Sequence, residues 1–153
     1  MLRVRIVSVS KVPRGAYQEL QENFLKFLKS FARVEMIVVA PSRLQDRARA
    51  IAEEEARLRS AVPSDSVRVV LEATGVQMTS TSFAKWTQRY EDEGQELCFV
   101  IGGPFGLSPE FKKEADVLLS LSLFTLPHDL AQIVLLEQLY RALTIIHKKT
   151  YHY

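Results

Sequence analysis

Along the first nine residues apolar Leu2, Val4 and Ile6 alternate with Arg3 and Arg5, and the β-branched content of LRVRIVSV predicts a strand. After a loop marked by Pro13 and Gly15 the period changes. Tyr17, Leu20, Phe24, Phe27, Leu28 and Phe31 recur every three or four residues, which predicts an amphipathic helix over 16–31. A second strand is expected over 34–40, stopped by Pro41. Ser42 is placed to cap a helix over 43–60, whose apolar face (Leu44, Ala48, Ile51, Ala52, Ala56, Leu58) is thin. The charges Glu53, Glu54, Glu55, Arg57 and Arg59 read as its solvated face.

The alternation of strand and helix continues. VRVVL (67–71) predicts a third strand, the polar segment 72–81 a loop, and 82–93 a helix with Phe83, Trp86 and Tyr90 on one face. An aromatic stripe at that spacing belongs to a core or a subunit contact before a base-stacking platform. Gly94 ends the helix, and 97–101 (LCFVI) is the fourth strand. Ser108 followed by Pro109 predicts an N-cap and first turn of a short helix through about 115. VLLSLSL (117–123) predicts a fully buried fifth strand, with 124–128 as its exit loop. The last helix, 129–147, has Leu130, Ile133, Val134, Leu136, Leu139, Tyr140, Leu143 and Ile146 on an apolar surface widened by Leu135 and Ile145, wide enough to expect a partner subunit. The tail from Lys148 to Tyr153 is short, basic and aromatic.

Strands alternating with helices five times predict an α/β fold in one domain, 1–153, with a mainly parallel sheet flanked by helices. In such a sheet ligands bind beyond the carboxyl ends of the strands. Three segments fall there: 71–75, 102–106 and 124–128.

Composition narrows the function without naming it. At 153 residues, 47% hydrophobic and 25% charged, the chain is globular rather than disordered. A net charge of +2 permits a nucleic-acid partner without requiring one. No apolar run is long enough for a membrane span and the amino terminus lacks a signal-peptide core, so a soluble, cytoplasmic protein is expected. A single cysteine, Cys98, rules out a disulfide framework within one chain and reads as a small buried hydrophobe. Three scattered histidines give no metal-ligand spacing, and no metal is expected.

The most distinctive local sequence is GGPFG at 102–106, directly after a predicted strand. It is neither a Walker loop nor GxGxxG. One reading is a plain turn; the other is that Gly102 and Gly103 let a ligand approach the backbone while Pro104 stiffens the loop. Spacing leaves both open. No Ser-His-Asp or Cys-His arrangement stands out, and Glu72 is the lone carboxylate in the strand-end loops. Methyl transfer from a sulfonium donor fits that shortage, because the donor carries the driving force and the protein supplies alignment.

FVIGGPFGLS, LSLSLFTLPH, LAQIVLLEQLYRALTI and the YHY terminus, with the LRVRIVSV start and a LEATG loop, together resemble the bacterial ribosomal large-subunit pseudouridine N3-methyltransferases, the H members of the SPOUT methyltransferases. The resemblance covers most of the chain. It implies a SPOUT-type fold with a C-terminal deep trefoil knot, a homodimer, S-adenosyl-L-methionine as methyl donor, and 23S rRNA within the assembled ribosome as substrate. By position, it assigns donor binding to Leu71, Gly102, Gly103, Ser122, Leu123, Phe124, Thr125, Leu126 and Pro127. It further implies that the tail of one subunit reaches the other's pocket, making Tyr151 and His152 the candidates that meet the target base. His152 is the candidate for assisting loss of the N3 proton. His128 reads as a loop-shaping residue and His147 as a helix C-terminal one.

RNA contact is expected from Arg3, Arg5, Lys11, Arg14, Arg141, Lys148 and Lys149, if they gather near the pocket mouth. Some positions depart from the resemblance. Phe105 stands where an acidic residue is frequent, Val76 where a basic one is frequent, Thr150 near a frequent proline, and Tyr153 where a basic residue often ends the chain. Three alternatives stay open: a SPOUT methyltransferase for another RNA, a donor- or ribosome-binding module without catalysis, and a flavodoxin-like nucleotide binder.

Overall fold

The structure, a computed structural model, describes residues 1–152. Its elements run β1 (Leu2–Val9), α1 (Ala16–Leu28), β2 (Ala32–Val39), α2 (Arg47–Ala61), β3 (Val67–Gln77), α3 (Ser80–Glu93), β4 (Glu96–Ile101), α4 (Pro109–Lys113), β5 (Val117–Ser120) and α5 (His128–Ile146). The strands form one five-stranded sheet in the order β2-β1-β4-β3-β5, and every pairing is parallel. Helices must therefore cover both faces.

The period-two alternation sorts side chains between those faces. Leu2, Val4 and Ile6 of β1, Val69 of β3, and Leu97, Phe99 and Ile101 of β4 join one core with α3 and α5. Val7, Val9, Val70, Cys98 and Val100 face the other way, against Leu58 of α2 and Phe111 of α4. The aromatic stripe of α3 is core: Phe83 stacks on Trp86 at 5.6 Å, and Trp86 meets Tyr90 edge-on at 5.0 Å and Phe99 at 6.5 Å.

Four expectations are corrected. The second helix begins at Arg47, not 43, because Asp46 accepts the Arg49 N–H at 2.8 Å and is the cap; the Ser42 hydroxyl instead takes the Leu44 N–H at 3.1 Å in a local turn. Glu54 and Glu55 do not lie on a solvated face; they are 3% and 5% exposed. The fifth strand ends at Ser120, not 123, since the Ser122 hydroxyl accepts the Phe124 N–H at 2.9 Å and diverts the backbone into a turn. Leu123 and Phe124 are consequently 76% and 83% exposed. Finally, much of the broad apolar surface of α5 is covered within the chain, where Leu135, Leu136, Leu139, Ala142 and Leu143 are buried and α1 and α3 pack alongside. Its width is not by itself a sign of a second subunit.

Candidate active site

Gly103 to Gly106 form a tight turn closed by the Gly106 N–H on the Gly103 carbonyl at 2.9 Å, with Pro104 leading the turn and Gly106 at a φ of 73°. Ser108 then caps α4, accepting the Phe111 N–H at 3.1 Å, with Pro109 behind it as the sequence predicts. One carboxylate of α2 holds this segment from beneath, and its neighbour holds the loop that leads into α2. Glu55 Oε1 accepts the Ser108 N–H at 2.6 Å, and Glu54 Oε1 accepts the Ser42 N–H at 2.9 Å.

Gly102 and Gly103 are also constrained from the protein's side. A Cβ on Gly103 would stand 2.7 Å from Glu54 Oε2 and 3.0 Å from Val9 Cγ1, and one on Gly102 would stand 2.8 Å from Leu107 Cγ. Their missing side chains make room for the protein's own packing.

The second wall comes from β3. Leu71 and Val76 both register on Leu119 of β5, so residues 72–75 loop out of the ladder where the sequence predicts an uninterrupted loop over 72–81. Gly75 brings the excursion back against β5, where a Cβ would lie 2.5 Å from the Leu118 carbonyl oxygen. The third wall is the segment after β5, shaped by Ser120 Oγ donating to the Ser122 carbonyl at 3.1 Å.

The three walls enclose a cavity of about 400 Å³ lined by Leu71, Glu72, Ala73, Ile101, Gly102, Gly103, Pro104, Gly106, Leu107, Leu121, Ser122, Phe124, Thr125, Leu126, Pro127, His128 and Ala131. Small-molecule sites span roughly 300–1,000 Å³. Eight of the nine positions assigned to donor binding line it; Leu123 points away into solvent. Charge is sparse in the lining. The Lys112 ammonium, 2.8 Å from Glu72, holds the Glu72 carboxyl below its ordinary range. The first turn of α5 carries no side-chain cap, which leaves N–H groups beside the cavity as free donors. A mostly apolar, backbone-rich pocket with an orphaned carboxylate oxygen, Glu54 Oε2, behind one wall suits an organic ligand carrying positive charge. Behind the base of α5, Gln132 donates to Ser8 Oγ at 3.2 Å, and Ser8 and Ser10 share a hydrogen bond at 3.1 Å.

The buried thiol of Cys98 is no rival to this site. Burial pushes the Cys98 thiol up to about 11, so it stays protonated and inert. Among the described residues no group of three or more His, Cys, Asp or Glu could hold a metal ion.

The tail lies elsewhere. Tyr151 donates to Glu137 Oε1 at 3.2 Å and meets the Tyr140 ring edge-on at 4.7 Å; the Arg141 guanidinium sits 4.9 Å from the Tyr151 ring centre and 3.4 Å from His152 Nδ1. Ten residues of helix separate Arg141 from Ala131 at the cavity, roughly 15 Å along the axis. Tyr151 and His152 are thus docked away from their own chain's pocket. Tyr153 lies outside the described residues.

The cations expected to bind RNA do not gather as one patch. Arg3 donates to the Gly94 carbonyl at 3.0 Å, and Arg5 is bound between Glu35 (2.9 Å) and Glu96 (3.1 Å), so both are tied down toward the amino ends of the strands. Lys11 and Arg14 are exposed in the loop leaving the carboxyl end of β1, the same end as the cavity. Arg141 pairs with Glu137 at 2.5 Å, while Lys148 and Lys149 are exposed beyond α5. Of the departures, Phe105 stands on the cavity rim under the Arg47 guanidinium at 5.8 Å and Val76 is exposed.

Sequence reasoning missed Glu54, Glu55 and Gln132, the buried polar residues that support the loops. A signal was present for one: Ala50, Glu54 and Leu58 recur every four residues, which puts Glu54 on the buried stripe of α2.

This fold and cavity define a class. A family model described as "Predicted SPOUT methyltransferase" matches residues 2–152, and the chain belongs to that family. Within it, the chain is 40% identical over 152 residues to the ribosomal RNA large subunit methyltransferase H of Anaeromyxobacter sp. (strain K), covering 99% of each. It is 37% identical over 159 residues to the protein of the same name from Natranaerobius thermophilus, covering 99% of this chain and 100% of the relative. A solved SpoU methyltransferase, AviRb from Streptomyces viridochromogenes in complex with AdoMet, is a remote likeness: 14% identity and a TM-score of 0.45 over 97% of this chain and 58% of that one.

Proposed function

We propose that the chain, acting in the cytoplasm as one SPOUT domain over 1–153, transfers a methyl group from S-adenosyl-L-methionine to N3 of a pseudouridine in 23S rRNA on the assembled ribosome. The observation that carries this reading is the cavity at the strand ends, where the loops expected to hold the donor converge without any acid-base triad. The names of the relatives, each a ribosomal RNA large subunit methyltransferase H, support rRNA as the substrate class. In the same reading the C-terminal part is tied in a deep trefoil knot and two copies form a homodimer.

When bound, S-adenosylmethionine supplies an electrophilic methyl group on a positively charged sulfur that departs as a neutral thioether. The chain's own residues align and desolvate. Leu71, Gly102, Gly103 and the backbone of 122–127 would hold the donor, and Leu107 and Leu121, which line the same cavity, would exclude water from it. The docking of Tyr151 and His152 away from their own pocket favours use of the tail by the neighbouring copy. There Tyr151 would orient the base, and His152 would take the proton from N3, freeing the nitrogen lone pair as the nucleophile. Lys11, Arg14, Lys148 and Lys149 are exposed and would meet phosphate.

The deciding experiment is transfer of labelled methyl from S-adenosylmethionine to ribosomes lacking the modification, with free rRNA and large subunits alongside and the labelled nucleoside mapped. Label in N3-methylpseudouridine on whole ribosomes is expected. Label in another RNA, or donor binding without transfer, would replace this reading with one of the two family alternatives. Sedimentation at graded concentration tests the homodimer.

A further inference from the structure

Glu54 is 3% exposed, yet only one of its carboxylate oxygens has a hydrogen-bond partner. Oε1 accepts the Ser42 N–H, while Oε2 is buried and unpartnered. Of the four arginines of the same helix, Arg57 pairs with Glu53, Arg59 with Glu114 at 2.8 Å and Glu55 at 3.8 Å, Arg47 lies over the Phe105 ring at 5.8 Å, and Arg49 is exposed. Among the described residues none forms an ion pair with Glu54. A buried carboxylate without a counter-ion is costly, and the cost falls when positive charge arrives beside it.

The geometry shows where such a charge would have to arrive. Oε2 faces the position that a Cβ of Gly103 would fill, at 2.7 Å, and Gly103 is itself part of the cavity wall. Because the residue there is glycine, the carboxylate lies directly against a backbone segment that lines the cavity. An interior of low dielectric constant transmits a charge across that thickness far better than water does.

We infer that Glu54 is a specificity-determining residue that makes the cavity prefer a cationic ligand over a neutral ligand of the same shape. This rests on the donor reading above, in which the two ligands are S-adenosylmethionine, with its positive sulfonium, and S-adenosylhomocysteine, its neutral thioether product. The discrimination also serves turnover: methyl transfer neutralises the sulfur, the attraction is lost, and the product leaves. Glu55 has no such role, since its carboxylate already holds the Ser108 N–H and lies 3.8 Å from Arg59.

The test is calorimetric titration of the full chain with each ligand, for the native protein, Glu54→Gln and Glu55→Gln. Glutamine keeps an acceptor for the Ser42 N–H and the side chain's shape, and removes the charge by exchanging one oxygen for an NH2 group. Glu54→Gln is expected to weaken S-adenosylmethionine roughly tenfold while S-adenosylhomocysteine changes less than about twofold. Glu55→Gln is expected to shift both ligands alike. An equal change for both ligands in Glu54→Gln, or none, overturns the inference. Should Glu54→Gln fail to fold, the native protein decides, and sulfonium bound no more tightly than thioether overturns it. Binding of neither ligand to the native protein removes the donor reading itself, and the inference with it.

Discussion

The cavity and the tail are both made of loop residues, but they are held in opposite ways. The cavity walls are fixed from beneath by the buried Glu55 carboxylate on the Ser108 N–H, by the close approach of Gly103 to Glu54 and Val9, and by Gly75 against the Leu118 backbone. The tail rests on partly buried partners, Glu137, Tyr140 and Arg141, through two side-chain hydrogen bonds and ring contacts. Buried, close-packed contacts have one low-energy arrangement, whereas surface polar contacts exchange readily with water. The difference separates a pocket built once, on folding, from a segment that can leave its resting place and act elsewhere.

The sharpest way to break that contrast is to overpack the pocket. Gly103→Val is expected to abolish donor binding in calorimetry and to destabilise the protein by about 1–3 kcal/mol in urea unfolding, because the branched side chain collides with Glu54 and Val9. The loss comes from displacement of the turn, so Gly103→Ala should fall between. Gly75→Ala should cost at least as much stability, about 2–3 kcal/mol, since its neighbour is backbone and cannot rotate aside. Unchanged affinity in Gly103→Val would show that the turn is not part of the donor site. Next in size is His152→Ala, expected to cut methyl transfer roughly 10²-fold while donor affinity stays near native. Native turnover would leave His152 a mere tail residue.

These outcomes bear on what could be read from the chain alone. The order of elements and the parallel α/β class follow from period-two and helical patterns, which depend only on which residues are apolar, and Ser108-Pro109 marked a helix start through chemistry local to four residues. The convergence of 71–75, 102–106 and 124–128 around one cavity was legible because strand ends are where such sheets open, whereas donor binding by Leu71, Gly102 and 122–127 is what the resemblance implies. What escaped was non-local. Glu54 and Glu55 look like surface charges in sequence, and only the seating of α2 under the turn reveals that their acceptors are spent on Ser42 and Ser108. Arg3 and Arg5 look like free cations until β2 and β4 bring Glu35 and Glu96 beside them. The end of β5 was misplaced because VLLSLSL is apolar enough for a strand, while the Ser122 hydroxyl decides the turn.

A smaller effect tests the pocket wall through pH. Lys112 lowers the Glu72 carboxyl below its ordinary 4.5, so folding gains from the ionised pair above about that pH and loses the gain as pH falls through the lowered value. The pair is partly exposed, and its worth is below about 1 kcal/mol. Glu72→Gln should therefore lower stability slightly at neutral pH, and the gap from native should close on acidification in parallel urea titrations. A gap that persists at low pH would mean that Glu72 acts through packing.

The smallest expected effect completes the contrast. In the tail, burial first and the Glu137 carboxylate second raise the Tyr151 phenol above its ordinary 10, so the proton that bridges to Glu137 is held. A raised acid contributes below the unfolded value and loses its contribution as pH climbs through the folded one, so the tail's docking should weaken only in strong alkali. Tyr151→Phe keeps the ring on Tyr140 and under Arg141 and deletes only the bond to Glu137, at a cost of about 0.5–1.5 kcal/mol or less. Because the docked tail lies on the far turns of α5 from the cavity, that cost should appear as faster amide exchange beyond Lys148, with donor affinity in the free protein close to native. An affinity loss as large as that of Gly103→Val would mean that tail and pocket are one cooperative unit, and the distinction between a fixed pocket and a movable tail would fall.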